Sequence, residues 1–435
     1  MRVAITVTDQ RQADDLDWVA TAHTGVSGSA LPGATTNFVI ALLDSGASTH
    51  LMSYTDALSL GLQGSYLSAG YTFTVSGVDN VPVDLDVSMP VGFFAQGLQD
   101  LDNNGNPQPA LMFGQGNFVG GVNSLDNYDL GIDTPTVIGA PFLLYFPAYI
   151  RNSQPVQLPG SGNEMSSPSI TFYDSPSNVN IPTLAHRIYL EAMSSATVEY
   201  IPDVTENLDF VPQFPSTIVG TANAGMLFFT ASAMTFRQGT NTSSGQVVVD
   251  TGAQATLISE VAAAELGLNV LNPDFEIEVQ GLVNTVMAPG FYVDSASLPA
   301  GFGSPVSWSH IPVVVLNVGS PNGGIVFGIF GSNLTAKRDM VFNGAASQPY
   351  LDVTDSIVVP RIMITAIRST GPNSAEVDWH AEPAPPVLYL EACTNLVANP
   401  PGWHSVATNT LSTINGTLSV TGLTSRNFFR LVAPQ

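Results

Sequence analysis

The chain has 435 residues, enough for two or three domains that each bury a core. Its 35 acidic side chains stand against 11 basic ones, and Lys337 is the only lysine, so no basic stripe exists to neutralise phosphates and nucleic acid is excluded as a partner. A single cysteine, Cys393, excludes an intramolecular disulfide framework, and the sequence has no apolar run long enough for a transmembrane helix.

Apolar residues make up 44% of the chain and charged ones 11%, with 39 Gly and 31 Pro. That mixture favours short strands joined by tight turns, an all-β class. The opening Met1-Arg-Val-Ala-Ile-Thr-Val-Thr-Asp-Gln lacks the apolar stretch of a secretory signal peptide. The acidic, lysine-poor composition nevertheless fits work outside the cell, so an extracellular or cell-envelope location is the expectation.

In chain order, Phe38-Val-Ile-Ala-Leu-Leu43 reads as a buried strand that delivers Asp44 at its end. A short Ala/Leu segment follows and closes at Gly61, a helix with a glycine C-cap. Alternating apolar positions around Val75-Ser-Gly-Val78 predict a hairpin, with Val75, Gly77 and Val78 near its tip. Asp100-Leu-Asp-Asn-Asn-Gly-Asn106 resembles the front of a calcium loop, but Leu111 stands where the twelfth-position Glu belongs, so a polar surface turn is the expectation. Val137-Ile-Gly139 forms an apolar-apolar-Gly turn. Residues 153–180, rich in Ser, Pro, Gly and Asn, read as a connecting loop.

The second half repeats this order. Residues 44–62 realign without gaps on 250–268, and nine of the 19 positions are identical, among them Asp44/Asp250, Gly46/Gly252, Ala47/Ala253, Ser53/Ser259 and Gly61/Gly267. Gln246-Val-Val-Val249 is the matching strand, Val279-Gln-Gly-Leu282 the matching hairpin (Val279, Gly281 and Leu282 near its tip), and Ile329-Phe-Gly331-Ser-Asn-Leu334 the matching turn. Two related lobes follow, residues 1–175 and 176–355, each contributing one Asp to a shared cleft. From 358 to 435 short alternating segments, including Arg361–Thr365, Ala375–Trp379, Val387–Glu391, Trp403–Val406, Thr417–Val420 and Phe428–Leu431, predict an accessory β-sandwich.

Hydrolysis without a metal or covalent nucleophile needs a base to activate water and an acid to protonate the carbonyl oxygen and the leaving amine. Two adjacent carboxylates sharing one proton supply both, because close like charges cannot both ionise; the aspartic-protease dyad is the standard example of this effect. Gly46 and Gly252 let backbone pass close to the pair. The hydroxyls of Ser45 and Thr251 can bond across the interface and hold the two loops. No metal or cofactor is called for. His50, inside the first motif, aligns with Thr256 and has no nucleophile beside it, so it reads as a packed or solvent-facing histidine.

Asp-Ser/Thr-Gly-Ala after an apolar strand, followed by Leu-Met-Ser or Leu-Ile-Ser, resembles the active-site signature of aspartic peptidases. Alanine after the glycine is closer to retropepsins, whereas two lobes in one chain are similar to pepsins. Over roughly residues 30–345 the resemblance implies an acid-protease β-barrel in each lobe, flap hairpins over a peptide-binding cleft, catalysis by Asp44 and Asp250, a peptide or protein substrate, and a monomer. The tail resembles fibronectin-type accessory domains. The alternative is a catalytically weak or inactive peptidase-like protein used for extracellular binding or attachment. Asn241-Thr-Ser, Asn333-Leu-Thr and Asn415-Gly-Thr match the glycosylation acceptor pattern.

Overall fold

In Val39–Asp44 buried and half-buried residues alternate with the period of two that a sheet imposes, and the strand ends on its acidic residue. The structure is a computed structural model. It describes residues 1–9, 21–88, 91–118, 121–122, 136–158, 166–178, 186–194, 227–281, 285–319, 324–336, 338–355, 361–382, 388–393, 404–409, 415–421 and 428–432. The chain forms two compact units, Met1–Asp355 and Ser356–Gln435.

In the first unit, among the described residues, eleven strands between Arg2 and Gly139 form one sheet and twelve between Ala148 and Val353 form a second. The protein is all-β, with short helices only. One apolar core joins residues of both sheets, including Ile5, Phe93, Phe229, Phe342 and Val353.

Both halves use one plan. Val39–Asp44 pairs in parallel with Val137–Gly139, and Asn241–Val249 pairs in parallel with Gly328–Phe330. The turn strands then pair antiparallel with Leu51–Met52 and Thr256–Ile258 respectively. The expected helices are Tyr54–Leu60 and Glu260–Leu266. Ser53 and Ser259 cap their N-termini by accepting from Asp56 N and Ala262 N, and Gly61 and Gly267 close them in left-handed geometry at φ 79° and 74°.

The expected connecting loop at 153–180 is a correction. Ala148–Gln157 and Ser166–Phe172 are strands; they pair with each other, and the first also pairs with Met340–Asn343. That sheet continues through Tyr350–Val353 to His186–Ser194, so strands on both sides of residue 175 belong to it. Ser166–Phe172 is an edge strand, where proline is tolerated, and its Pro168 lies opposite Pro155, which follows a register shift. Turn-rich composition concealed a sheet edge.

In the second unit Arg361–Gly371, Ser374–Glu382 and Asn415–Thr421 form one three-stranded sheet. His404–Asn409, Leu388–Cys393 and Phe428–Val432 form another. Val377, Trp379, Leu418 and Val420 from the first sheet meet Leu390 from the second in a small core, and Cys393 is buried. Val387 and Trp403 lie outside the described residues.

Trp379 is 2% exposed at the centre of this small core. Trp379→Ala is expected to cost the second unit about 3–5 kcal/mol. Calorimetry of the full chain should show that unit's transition lowered and the transition of residues 1–355 unmoved. Movement of both would mean the units do not unfold separately.

Candidate functional site

Parallel pairing fixes where each Asp emerges. Asp44 lies opposite Gly139 at the end of its strand, and Asp250 N donates to Phe330 O at 3.1 Å. The two chain segments then meet at Ser45 and Thr251. Ser45 N donates to Thr251 Oγ1 at 3.0 Å, and Thr251 N donates to Ser45 Oγ at 3.1 Å. Each hydroxyl passes its own proton to the opposite strand, Ser45 Oγ to Val249 O at 2.6 Å and Thr251 Oγ1 to Leu43 O at 2.8 Å. Both side chains are buried, so these four bonds have no water to replace them.

Close approach follows. A Cβ on Gly46 would lie 2.5 Å from Asp250 Cγ, and one on Gly252 would lie 2.4 Å from Asp44 Oδ2. Only glycine fits at either position. Asp44 Oδ1 accepts from Gly46 N at 2.8 Å and Ala47 N at 3.1 Å, and Asp250 Oδ1 accepts from Gly252 N at 2.7 Å and Ala253 N at 2.8 Å. Each carboxylate is therefore locked in rotation through one oxygen. The two side chains also hydrogen-bond to each other.

Burial, then the Asp44 charge and the hydrogen bond to Asp44, push the Asp250 carboxyl well above the ordinary carboxylate range against the pull of the two backbone N–H groups. A small cavity beside Asp250 is walled by Met1, Phe330, Met340 and Leu351 together with Thr251, Ser332 and Thr335. The pair keeps a proton where isolated carboxylates have lost theirs.

His50 is buried and edge-on to Phe93, and its Nδ1 accepts from Gly139 N at 3.0 Å. In the second half Thr256 Oγ1 accepts from Gly331 N at 3.3 Å. The aligned residues thus do the same job, fixing the apolar-apolar-Gly turn against the Asp loop. Thr256 also donates to Asn333 Oδ1 at 2.7 Å, and Asn333 Nδ2 donates to Pro312 O, which ties this asparagine to the turn. The repeat pairs His50 with Thr256 but hides their shared role, because imidazole and hydroxyl have only an acceptor lone pair in common.

Both hairpins are present, Leu67–Ser76 with Pro82–Ser88 and Phe275–Gln280 with Thr285–Leu298. Gly77 opens the first turn, Val75 lies on its strand opposite Val83, and Val78 packs against a second-half cluster of Leu257, Ala288, Val314 and Ile329. Ala253 and Val279 pack against the same cluster. Gly281 sits beside Asp79 of the first hairpin; Leu282 lies outside the described residues. Asp102 Oδ1 accepts from Asn104 N and Asn106 N, and Gly105 N returns to Asp102 O, so 100–106 closes on itself as a turn. Among the described residues no group of three or more His, Cys, Asp or Glu is arranged to hold a metal ion, and no helix is long and apolar enough to cross a membrane.

Paired Asp-Ser/Thr-Gly loops thus meet between two repeated all-β halves, an aspartic-peptidase type of fold. A family model described as aspartyl protease matches residues 238–334, which include Asp250, the second hairpin and the Gly331 turn. The chain is similar to the aspartic proteinase of Irpex lacteus, at 14% identity and a TM-score of 0.39, covering 82% of this chain and 99% of that one. It is also similar to basic 7S globulin from soybean, at 11% identity and a TM-score of 0.38, covering 82% and 95%. No curated protein matches the sequence.

Because the Asp250 carboxyl is raised, the folded chain holds a proton that the unfolded chain releases in the ordinary carboxylate range. Stability is therefore lost as pH rises from that range through the raised value. Asp250→Asn removes the liability, so the stability of the variant relative to wild type should grow with pH across this window. Denaturant unfolding at several pH values tests this; a pH-independent difference would contradict it. Separately, Thr251→Ala deletes one buried hydroxyl and leaves Ser45 N unpaired, an expected loss of about 2–4 kcal/mol in the same assay.

Proposed function

We propose that this protein is an aspartic endopeptidase in which Asp44 and Asp250 hold a water between them and hydrolyse peptide bonds. The observation that carries the reading is the hydrogen-bonded carboxylate pair, each member locked by two backbone N–H groups and one of them raised in pKa. One carboxylate takes a proton from water as it attacks the carbonyl carbon, while the shared proton passes to the carbonyl oxygen. The resulting gem-diol then collapses, its C–N bond breaks, and the amine leaves with a proton from the pair. Ser45, Gly46, Thr251 and Gly252 act by keeping the carboxylates in register.

A buried apolar cluster backs each Asp loop, Leu51, Leu85 and Val137 against Ala47 in the first half and Leu257, Ala288, Val314 and Ile329 against Ala253 in the second. Since one chain supplies both carboxylates, we take the working form to be a monomer. The acidic composition fits a protein acting outside the cell.

Purified full-length protein should cleave an unfolded polypeptide at mildly acid pH and be blocked by a statine-type inhibitor. Asp44→Asn or Asp250→Asn should each lower kcat by roughly 10²–10⁴-fold with the fold retained, since an amide keeps the shape but cannot shuttle the proton. Folded wild-type protein that cuts nothing between acid and neutral pH would leave the binding or attachment reading standing. Cleavage surviving both substitutions would mean that other groups do the chemistry.

A further inference from the structure

The first hairpin ends in the turn Gly77–Asn80, closed by Asn80 N donating to Gly77 O at 3.1 Å, with Asn80 at φ 55°. A non-glycine residue in left-handed geometry needs a reason, and asparagine tolerates it better than most. Here the conformation aims the side chain at the other half of the molecule. Asn80 Nδ2 donates to Asn317 O at 2.7 Å, and Asn80 Oδ1 accepts from Gly319 N at 2.6 Å. The amide therefore uses its donor and its acceptor on one edge of 317–319, as the peptide of a neighbouring strand would. The receiving segment is itself anchored, because Asn317 Oδ1 accepts from Glu260 N at the start of a helix. Next to the clasp, Val78 is seated on the second-half apolar cluster, and Asp79 lies so close to Gly281 that a Cβ there would meet its Cγ at 2.3 Å.

We propose that Asn80 is a positioning residue that fastens the first hairpin as a closed lid across the cleft, so that peptide enters only when the clasp releases. The proposal rests on the peptidase reading and adds a gate to it. Val78 sits on the apolar wall that also carries Ala253, whose N–H holds Asp250, so a peptide side chain bound there must displace it. Releasing the lid requires two hydrogen bonds to break and Val78 to leave its seat. The partner groups are backbone, so the two hydrogen bonds of the clasp depend on the amide at position 80.

Asn80→Gly keeps the left-handed geometry and removes both bonds; Asn80→Asp keeps the acceptor and loses the donor. Hydrogen exchange of the Gly319 amide in the full chain reports the clasp without any need for activity. It should accelerate about tenfold or more in Asn80→Gly and less in Asn80→Asp. The association rate of a statine-type peptide inhibitor should rise about tenfold in Asn80→Gly, and KM for a peptide should move more than kcat. Unchanged Gly319 exchange would overturn the clasp. Accelerated exchange with an unchanged association rate would overturn the gate. Accelerated exchange in a protein that binds no inhibitor in either form would support the clasp and sink the peptidase reading.

Discussion

The reciprocal bonds between Ser45 and Thr251 are made where nothing else can make them. Each hydroxyl accepts from the other's backbone N–H and donates to a carbonyl of the opposite strand, and both are buried. Deleting either leaves unpaired polar groups in a dry place, which is costlier than the bonds themselves are worth. The constraint propagates outward. It brings Gly46 and Gly252 against the facing carboxylates, which in turn sets Asp44 beside Asp250 and adds to the rise that burial gives the Asp250 carboxyl. Two strands that each deliver an acidic residue to one place would otherwise repel. The interlock holds them together at the expense of keeping one proton.

The two halves show how a repeated plan tolerates divergence. Parallel pairing of the Asp strand with the turn strand is the same in both, as are the serine N-caps and the glycine C-caps. The support for the turn differs, an imidazole nitrogen from His50 in one half and a hydroxyl from Thr256 in the other. What is retained is an acceptor facing the glycine N–H. A buried N–H must be satisfied, and any acceptor of the right reach suffices.

This explains which parts were legible in the sequence. The Asp strands, their helices and the hairpins were readable because apolar periodicity and glycine caps depend on local chemistry repeated at a fixed offset. The Ser45/Thr251 contact was readable because small hydroxyls beside paired carboxylates have one evident use. The strands 148–157 and 166–172 were not, since an edge strand accepts the Ser and Pro that elsewhere mark loops. Nor was the reach of Asn80 to 317–319: an amide that bonds to backbone leaves no complementary residue in its partner.

The central claim is that burial, and then the Asp44 charge held against it, keep a proton on Asp250. Observing the Asp250 side-chain carboxyl by ¹³C NMR through a pH titration, in wild type and in Asp44→Asn, tests that claim directly. In wild type the carboxyl should titrate well above the ordinary carboxylate range. In the variant the midpoint should fall, because the neighbouring charge is gone, and should stop short of the ordinary range, because burial remains. An ordinary midpoint in wild type, or one that does not move when Asp44 loses its charge, would contradict the account.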